Sequence, residues 1–430
     1  MGRSGQTITD ETGVASIAAG APVPGLVLVF SKETPLLRAE PLPPKKEGLE
    51  IGRASFAGKP LDDDRISGTH ARVAFDGEAW TVEDLGSRNG THVNGEPIAS
   101  KVSSTSAGVL RVGRSLFLMV RDVRPYIAGV VQRRGEALLG PATIAIWTEI
   151  ERAGRHGDVL LVSGESGVGK ELAARAFHDA SPHASGPFVA VNCAAIPEGL
   201  AERLLFGAKR GAYSGATDAE GYVQAADGGT LFLDEVADLD APVQAKLLRA
   251  IEAKEVIPLG ASHARKVDLR VCSAAHDLRS EVKRGRFRAD LYFRIGRPEV
   301  RVPPLRDRRE ELPWLVAAEL VRTSSALSAN ASFIEACLLR PWPGNVRELL
   351  SEVRRIGTAT SALGRTSIGA SDLGPDVGLA FEAEKPQDPD RAAIELALEE
   401  HKGNVSRAAR SLGVHRNQLR RWLAKNAREP

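Results

Sequence analysis

The sequence predicts three folded units in series along 430 residues: an all-β sandwich, an α/β unit on a parallel sheet and a small all-α unit. Three observations carry this. Between Gly25 and Val123, short apolar runs alternate with turn residues, among them Val27-Leu28-Val29-Phe30, Ala71-Arg72-Val73-Ala74-Phe75 and Trp80-Thr81-Val82. From Gly140 to about Thr358, strand-like runs alternate with helical ones, which argues for a parallel sheet with crossover helices. From Arg391 to Asn426 the pattern reads as a compact set of helices. A chain of this length also exceeds what one hydrophobic core serves.

In order, residues 1–24 are Thr/Ser/Gly-rich and read as disordered. The sandwich occupies 25–123, a linker 124–139 and the α/β unit 140–363. Residues 364–390, rich in Gly, Pro, Ser and Asp, read as a second linker, and 391–430 as the helical unit. Hydrophobic content of 43% and charged content of 26% are those of an ordinary globular protein. The net charge of +2 hides an uneven distribution. From His401 to Pro430 there are eight Lys/Arg against one Glu, and from Phe381 to Glu400 seven Asp/Glu against two Lys/Arg. A basic tail behind an acidic stretch points to nucleic acid, although a solvated face has the same charge. The three cysteines, Cys193, Cys272 and Cys337, lie in apolar surroundings without metal-type spacing and read as buried thiols of a reducing cytoplasm. No apolar run is long enough to span a bilayer, and the start lacks a signal-peptide pattern, so the expectation is a cytoplasmic protein without a membrane partner.

The α/β unit carries the chemistry. Val159-Leu160-Leu161-Val162 is a buried strand running into Gly164-Glu165-Ser166-Gly167-Val168-Gly169-Lys170 and then a helix from Glu171 to Asp179. Strand, glycine-rich loop and helix together cradle phosphates on backbone N–H groups, with Lys170 neutralising the β/γ charge of ATP. Glu171 stands where Ser or Thr usually binds Mg²⁺, so the ion must lean on water, phosphate oxygens and Asp234. Thr230-Leu231-Phe232-Leu233-Asp234-Glu235 is an apolar strand ending in two acids, at the end that faces the ligand crevice of such sheets. Asp234 is the metal candidate, and Glu235 would orient and activate the attacking water. Phe188-Val189-Ala190-Val191-Asn192 is a neighbouring strand; on its own, Asn192 is only a strand-end cap. Between the loop and the acidic strand lies Gly211-Ala212-Tyr213-Ser214-Gly215-Ala216, read alone as a Gly-rich turn with one aromatic at its tip.

Placed inside an ATPase core, that hexapeptide resembles the Gly-Ala-Phe-Thr-Gly-Ala loop of sigma-54-dependent transcriptional activators, whose central unit is an AAA+ ATPase with a helical lid. Tyrosine and serine replace phenylalanine and threonine and keep the aromatic and the hydroxyl. The resemblance implies that residues 211–216 contact sigma-54, and that Asn192 restrains Glu235 until the partner engages. Relatives commonly carry a glutamate at the position of Glu171. Phe287-Arg288 and Tyr292-Phe293-Arg294 match the arginine-finger region, which makes Arg288 and Arg294 catalytic across a subunit boundary and implies a ring, from dimer to hexamer. Without the resemblance they are surface residues. Pro341-Trp342-Pro343-Gly344-Asn345-Val346-Arg347-Glu348-Leu349 matches the lid signature, with Arg347 as the nucleotide sensor in cis. Ala275-His276 departs from the usual Ala-Thr-Asn strand end, leaving His276 as the substitute polar sensor of the γ-phosphate.

At the front, Gly52-Arg53, Ser67, His70, Gly86-Ser87-Arg88-Asn89-Gly90-Thr91 and Asn94-Gly95 resemble a forkhead-associated (FHA) domain, which binds phosphothreonine peptides. Arg53 can pair with phosphate, Ser67 can hydrogen-bond it, and Arg88 and Asn89 sit on a loop suited to hold the peptide. His70 is a buttress, and Gly68 stands where a second polar contact is often found. Thr7-Ile8-Thr9-Asp10 is a candidate target within the chain itself. At the back, helices from Val405 to Leu412 and from His415 to Lys425 flank Gly413, a spacing that resembles the Fis-type helix-turn-helix of the same activators. His415, Arg416, Asn417, Gln418, Arg420 and Arg421 are the DNA-contact candidates, and some of the arginines touch only phosphates.

Together these readings imply an enhancer-DNA-binding activator. It would use ATP and Mg²⁺ to remodel the sigma-54 RNA polymerase holoenzyme, under control of a phosphothreonine-containing protein. Two alternatives stay open: a DNA-bound FHA regulator whose ATPase does not engage sigma-54, and a phosphothreonine-reading scaffold.

Overall fold

Strand β1 (Gly25–Ser31) begins a sandwich, and its apolar run is buried along nearly its whole length. It is followed by β2 (Thr34–Pro41), β3 (Leu49–Ile51), β4 (Ala71–Phe75) and β5 (Trp80–Asp84). Then come β6 (Thr91–Val93), β7 (Glu96–Pro97), β8 (Lys101–Ser104), β9 (Val109–Val112) and β10 (Ser115–Val120). One sheet has the order β2-β1-β10-β9-β6-β7 and the other β3-β4-β5-β8. Strands β4 and β5 alternate buried and half-exposed positions, so each covers the core with one face. Leu26, Leu28, Ile51, Trp80, Phe117 and Met119 fill the space between the sheets. The computed structural model describes residues 21–43, 47–54, 56–197, 199–212, 217–380, 391–401 and 405–411.

Residues 124–139 are not the plain linker that their composition suggests. They hold a helical turn, α1 (Arg124–Ile127), and a hairpin of β11 (Gln132–Arg134) and β12 (Ala137–Leu139). Ala137 and Leu139 are buried against Trp147 and Ile150 of α2 (Pro141–His156), and Arg134 pairs with Glu151 at 2.8 Å. Two apolar residues, a hairpin and one ion pair fasten the segment.

The α/β unit continues through β13 (Val159–Ser163), α3 (Lys170–Asp179), β14 (Phe188–Asn192), α4 (Ala201–Phe206), α5 (Tyr222–Ala225) and β15 (Thr230–Asp234). After α6 (Ala241–Ala253) come the short pair β16 (Glu255–Val256) and β17 (Arg265–Lys266), then β18 (Arg270–Ala275), α7 (Leu278–Lys283), α8 (Ala289–Ile295) and β19 (Glu299–Arg301). The parallel sheet has the order β14-β15-β18-β13-β19. Its strands are apolar runs because helices cover both faces. Cys193, Cys272 and Cys337 are all buried free thiols, as their surroundings predict, and burial pushes the Cys193 thiol up to about 12.

The lid is α9 (Leu312–Thr323), α10 (Ala331–Leu338) and α11 (Asn345–Ala362), with β20 (Ser328–Ala329) paired in parallel to β21 (Ser367–Ile368). The described part of the second expected linker, 364–380, therefore belongs to the lid. Ile368 and Leu373 are buried, Trp342 N donates to Gly378 O at 2.9 Å, and Gly378 N donates to Glu348 at 3.1 Å. Residues 381–390 lie outside the described residues, as do 1–20 with Thr7.

A separate unit begins at Ala380. Within it α12 (Arg391–Glu400) and α13 (Val405–Ser411) pack together, with Ile394, Ala397 and Ala408 buried. The turn at Gly413 and the expected second helix, with His415, Arg416, Asn417, Gln418, Arg420 and Arg421, lie outside the described residues.

Candidate active site

The loop after β13 wraps the start of α3, and Lys170 is the first residue of that helix. The helix has no side-chain cap, so its first N–H groups remain free to meet an anion. Lys170 is buried, and its Nζ donates to Glu235 Oε1 at 3.0 Å and to Gly164 O at 3.2 Å. Glu235 occupies left-handed backbone, φ +49°, a conformation in which a non-glycine residue is held by its surroundings. Asp234 sits at the end of β15, beside Asn192 in the sheet register. Burial raises its carboxyl above the usual range, against the pull of Lys170. A cleft of about 1040 Å³ opens here, roomy for a nucleotide. Ser166, Gly167, Gly169, Lys170 and Glu171 line one side, with Asn192, Asp234, Glu235 and Arg347 around it. Asn192 Oδ1 accepts from Ala194 N at 3.1 Å, so it caps its own turn while facing the cleft. Glu171 pairs with Arg175 one helical turn on, at 2.8 Å.

The lid is latched to the phosphate-binding loop by residues whose roles the sequence did not reveal. Asn345 is fully buried, and its Nδ2 donates to Glu165 Oε2 at 3.1 Å and to Ser166 O at 3.0 Å. Arg306 makes two bonds to the Glu165 carboxylate, at 2.6 and 2.9 Å. That pairing, followed by Asn345, lowers the Glu165 carboxyl to about 2. Arg347 Nη1 reaches Ser166 Oγ at 3.2 Å. Gly167 has φ +75°, and a Cβ there would lie 2.2 Å from Gly344 O, so loop and lid backbones touch. Beneath them Arg308 donates to Val168 O at 2.7 Å and to Glu311 at 2.9 Å, both side chains being buried. Val168 itself is buried as a plug under the loop. The signal for Arg306, Arg308 and Glu311 was a dense run of charge before an apolar helix, which reads equally well as surface.

Other expected residues are not in the cleft. His276 follows the end of β18, is exposed, and stands outside the cleft lining, though its charge helps to lower Glu165. Arg288 precedes α8 and is paired with Asp290 at 2.7 Å, while Arg294 is exposed on α8 beside Phe293. Neither arginine lines the cleft of its own chain. Of the hexapeptide only Gly211 and Ala212 are described, and Tyr213, Ser214, Gly215 and Ala216 lie outside the described residues. Its base is fastened by a bridge of Ala208 to Ala219 and by Lys209 N donating to Leu259 O at 2.9 Å.

At one end of the sandwich Arg53, Ser67, Arg88 and Asn89 converge on a groove of about 260 Å³. Arg53 Nε donates to Ile66 O and its Nη2 to Asp64 O, both at 3.0 Å. Ser67 Oγ accepts from Arg88 N at 3.2 Å, and Asn89 Nδ2 donates to Arg65 O at 2.8 Å. Gly52 permits the approach, because a Cβ there would lie 1.9 Å from Gly68 O. His70 is fully buried, bonded through Nδ1 to Ser67 N and through Nε2 to Gly90 O, the geometry of a buttress. Asp84 organises the loop by accepting from Gly86 N, Ser87 N, Ser87 Oγ and Thr91 Oγ1. Nothing in its spacing had singled it out.

The parallel sheet, the loop on a helix start, the two acids at a strand end and the helical lid define the AAA+ class of nucleotide-binding folds. Residues 140–301 match the sigma-54 interaction domain, 49–113 the FHA domain and 387–425 the Fis family of bacterial regulatory proteins. Response regulator protein PilR of Pseudomonas aeruginosa is 41% identical over 310 residues, covering 67% of this chain and 69% of PilR. Hydrogenase transcriptional regulatory protein HoxA of Bradyrhizobium diazoefficiens is 40% identical over 301 residues, 64% of this chain and 62% of HoxA. NtrX from Brucella abortus, solved in complex with ATP, superposes with a TM-score of 0.51 at 30% identity, over 66% of this chain and 67% of NtrX. The chain belongs to the family of sigma-54-dependent transcriptional regulators. It spans 62% of the length of HoxA and of the transcriptional regulatory protein GlrR of Escherichia coli.

Proposed function

We propose that the protein hydrolyses ATP between subunits of a ring and uses the work to remodel sigma-54 RNA polymerase at promoters whose upstream DNA it binds. The observation that carries this is the assembly of Lys170, Asp234, Glu235 and Asn192 in one cleft, closed by a lid that bonds directly to the phosphate-binding loop. Lys170 holds Glu235 in this structure. ATP phosphates compete for that ammonium, and Glu235 is then free to accept the proton of an attacking water. Asn192 sits where it can hold Glu235 or the water. Asp234 fits a magnesium ion, since its half-buried carboxylate ends β15 and lines the cleft beside Lys170 and Glu235. Bound there, the ion would neutralise phosphate charge. Among the described residues no cluster of three acid, His or Cys ligands occurs, so phosphate and water would complete its shell. Arg288 and Arg294, exposed and outside their own cleft, act on the nucleotide of a neighbouring subunit. Arg347 senses nucleotide from the lid, while His276, exposed outside the cleft lining, is assigned no contact with it. Residues 211–216 contact sigma-54, and the basic segment with His415, Arg416, Asn417, Gln418, Arg420 and Arg421 contacts DNA. The groove at Arg53, Ser67, Arg88 and Asn89 reads a phosphothreonine protein, the chain's own Thr7 segment included. Such partners place the protein in the cytoplasm; no described helix is long and apolar enough to cross a membrane.

The test is ATP-dependent open-complex formation with sigma-54 polymerase, comparing wild type with Ser214→Ala. Loss of open complex with ATP turnover retained supports the reading. Turnover without open complex in either protein favours the second reading, a DNA-bound FHA regulator that does not engage sigma-54.

A further inference from the structure

Strands β1 and β10 are buried on both faces, so the sandwich has a second apolar surface beyond its own core. Leu26, Leu28, Phe117 and Met119 point inward. Val27, Val29, Leu116 and Leu118 point the other way and share a core with Leu315, Val316, Ile334 and Leu338 of the lid. Strands β1, β9 and β10 touch α10, and β2 touches α9. An ion pair closes the seam, Arg111 Nε to Glu335 Oε2 at 2.6 Å, with the glutamate side chain only 5% exposed. Taking a carboxylate so far out of water is tolerable only while its partner stays in place.

The seam lies between the two candidate sites. Asn89-Gly90 runs directly into β6, whose His92 is paired in register with Arg111. The turn after β6 sets Gly95 against Leu339 at the end of α10. On the lid side Trp342 Nε1 donates to Cys337 O in the last turn of α10, at 2.8 Å. Asn345, just beyond, bonds to Glu165 and Ser166 of the phosphate-binding loop. Loop, β6, α10 and latch form one continuous packed path.

We propose that the sandwich is docked on the lid as one rigid body with it, holding α10 and the Asn345 latch in register, so that groove occupancy and nucleotide binding are thermodynamically linked. The linkage rests on the phosphothreonine and ATP readings above; the docking does not. A lid that moves with nucleotide must carry the sandwich or break the seam, and a ligand that tightens one end alters the other reciprocally.

The experiment uses the full chain, three seam variants, R111E, E335R and the charge swap R111E/E335R, and one groove variant, R53A. Binding of a non-hydrolysable ATP analogue and amide exchange in β1, β10 and α10 are measured. R111E should weaken analogue binding about 5-fold or more, the lower end of typical coupling, and speed exchange on both sides of the seam. The swap should restore both. A folded R111E protein with unchanged affinity and exchange overturns the docking role. Should R111E fail to fold, the wild type decides: exchange in β1 and β10 must respond to the analogue, and no response overturns the proposal. A degenerate phosphothreonine peptide pool separates the two ideas. A pool that wild type captures, and that shifts analogue affinity in wild type but not in R111E, supports the linkage. Capture without a shift overturns the linkage. Capture by neither wild type nor R53A removes the phosphothreonine reading and the linkage with it, while the response to R111E still supports the docking.

Discussion

Lys170 binds Glu235 and Gly164 O together, and in the proposed reaction ATP phosphates compete with Glu235 for its ammonium. Glu235→Gln should keep analogue binding and lose about 10²- to 10⁴-fold in ATP turnover, since only the proton-accepting step is removed. Lys170→Ala should lose the binding itself. Steady-state turnover beside a binding titration separates the two, and equal loss of binding in both would refute the assigned roles. Glu165 gives a pH prediction. Its carboxyl is lowered from 4.5 to about 2 by Arg306 and Asn345. A group with a lowered folded pKa contributes stability that is full above its unfolded value and is lost as pH falls through the folded one. The latch is therefore intact above about 4.5 and fails progressively toward about 2. Arg306→Ala should unfold at higher pH than wild type in an acid titration followed by circular dichroism; coincident curves would mean the latch adds nothing. Lys170, Asp234 and Glu235 were legible because their chemistry demands a fixed place on strand and loop. Asn345 and Arg306 were not, because their partners lie far away in sequence.

At the scale of elements, the same contrast separates β4 and β5 from β1 and β10. The first pair alternate and announce a half-buried strand. The second pair are apolar throughout, which says strand but not what covers the outer face. The turn carrying Arg308 and Glu311 poses the reverse problem. Both side chains are buried, and Glu311 also accepts from Gly140 N at 2.7 Å, tying the start of α2 to the lid. Arg308→Ala leaves that carboxylate uncompensated and should cost about 3–5 kcal/mol of stability in urea unfolding. A loss below about 1 kcal/mol, the usual worth of a surface pair, would show that water reaches the site. The loop-like composition of 124–139 and 364–390 predicts linkers, yet 124–139 and the described 364–380 are packed. A few apolar residues, Leu139, Ile368 and Leu373 among them, dock both onto the α/β unit and its lid.

At the scale of the molecule, Arg288 and Arg294 stand exposed and outside their own cleft, so the proposed chemistry requires a second copy. Chains carrying Lys170→Ala and chains carrying Arg294→Ala should each be inactive alone. Mixed, they should regain turnover, because a subunit with an intact cleft can then sit beside one with an intact arginine. Specific activity should also rise with protein concentration. A mixture that stays inactive while wild type turns over would place the arginine in cis or outside catalysis.

The sequence by itself determined the order of the units, the parallel sheet, the phosphate-binding loop and the acidic strand end. Each is written in local pattern: period, glycine placement and the spacing of a few obligatory side chains. The convergence of Arg53, Ser67, Arg88 and Asn89 was legible through the resemblance to FHA domains, and the structure brings the four to one groove. Only the tertiary structure decided that the sandwich lies on the lid and that the lid is latched to the loop by Asn345 and Arg306. It also showed that His276 stands apart from the cleft. Those outcomes depend on which buried faces find each other across hundreds of residues, and local pattern records that a face is apolar, not what it meets.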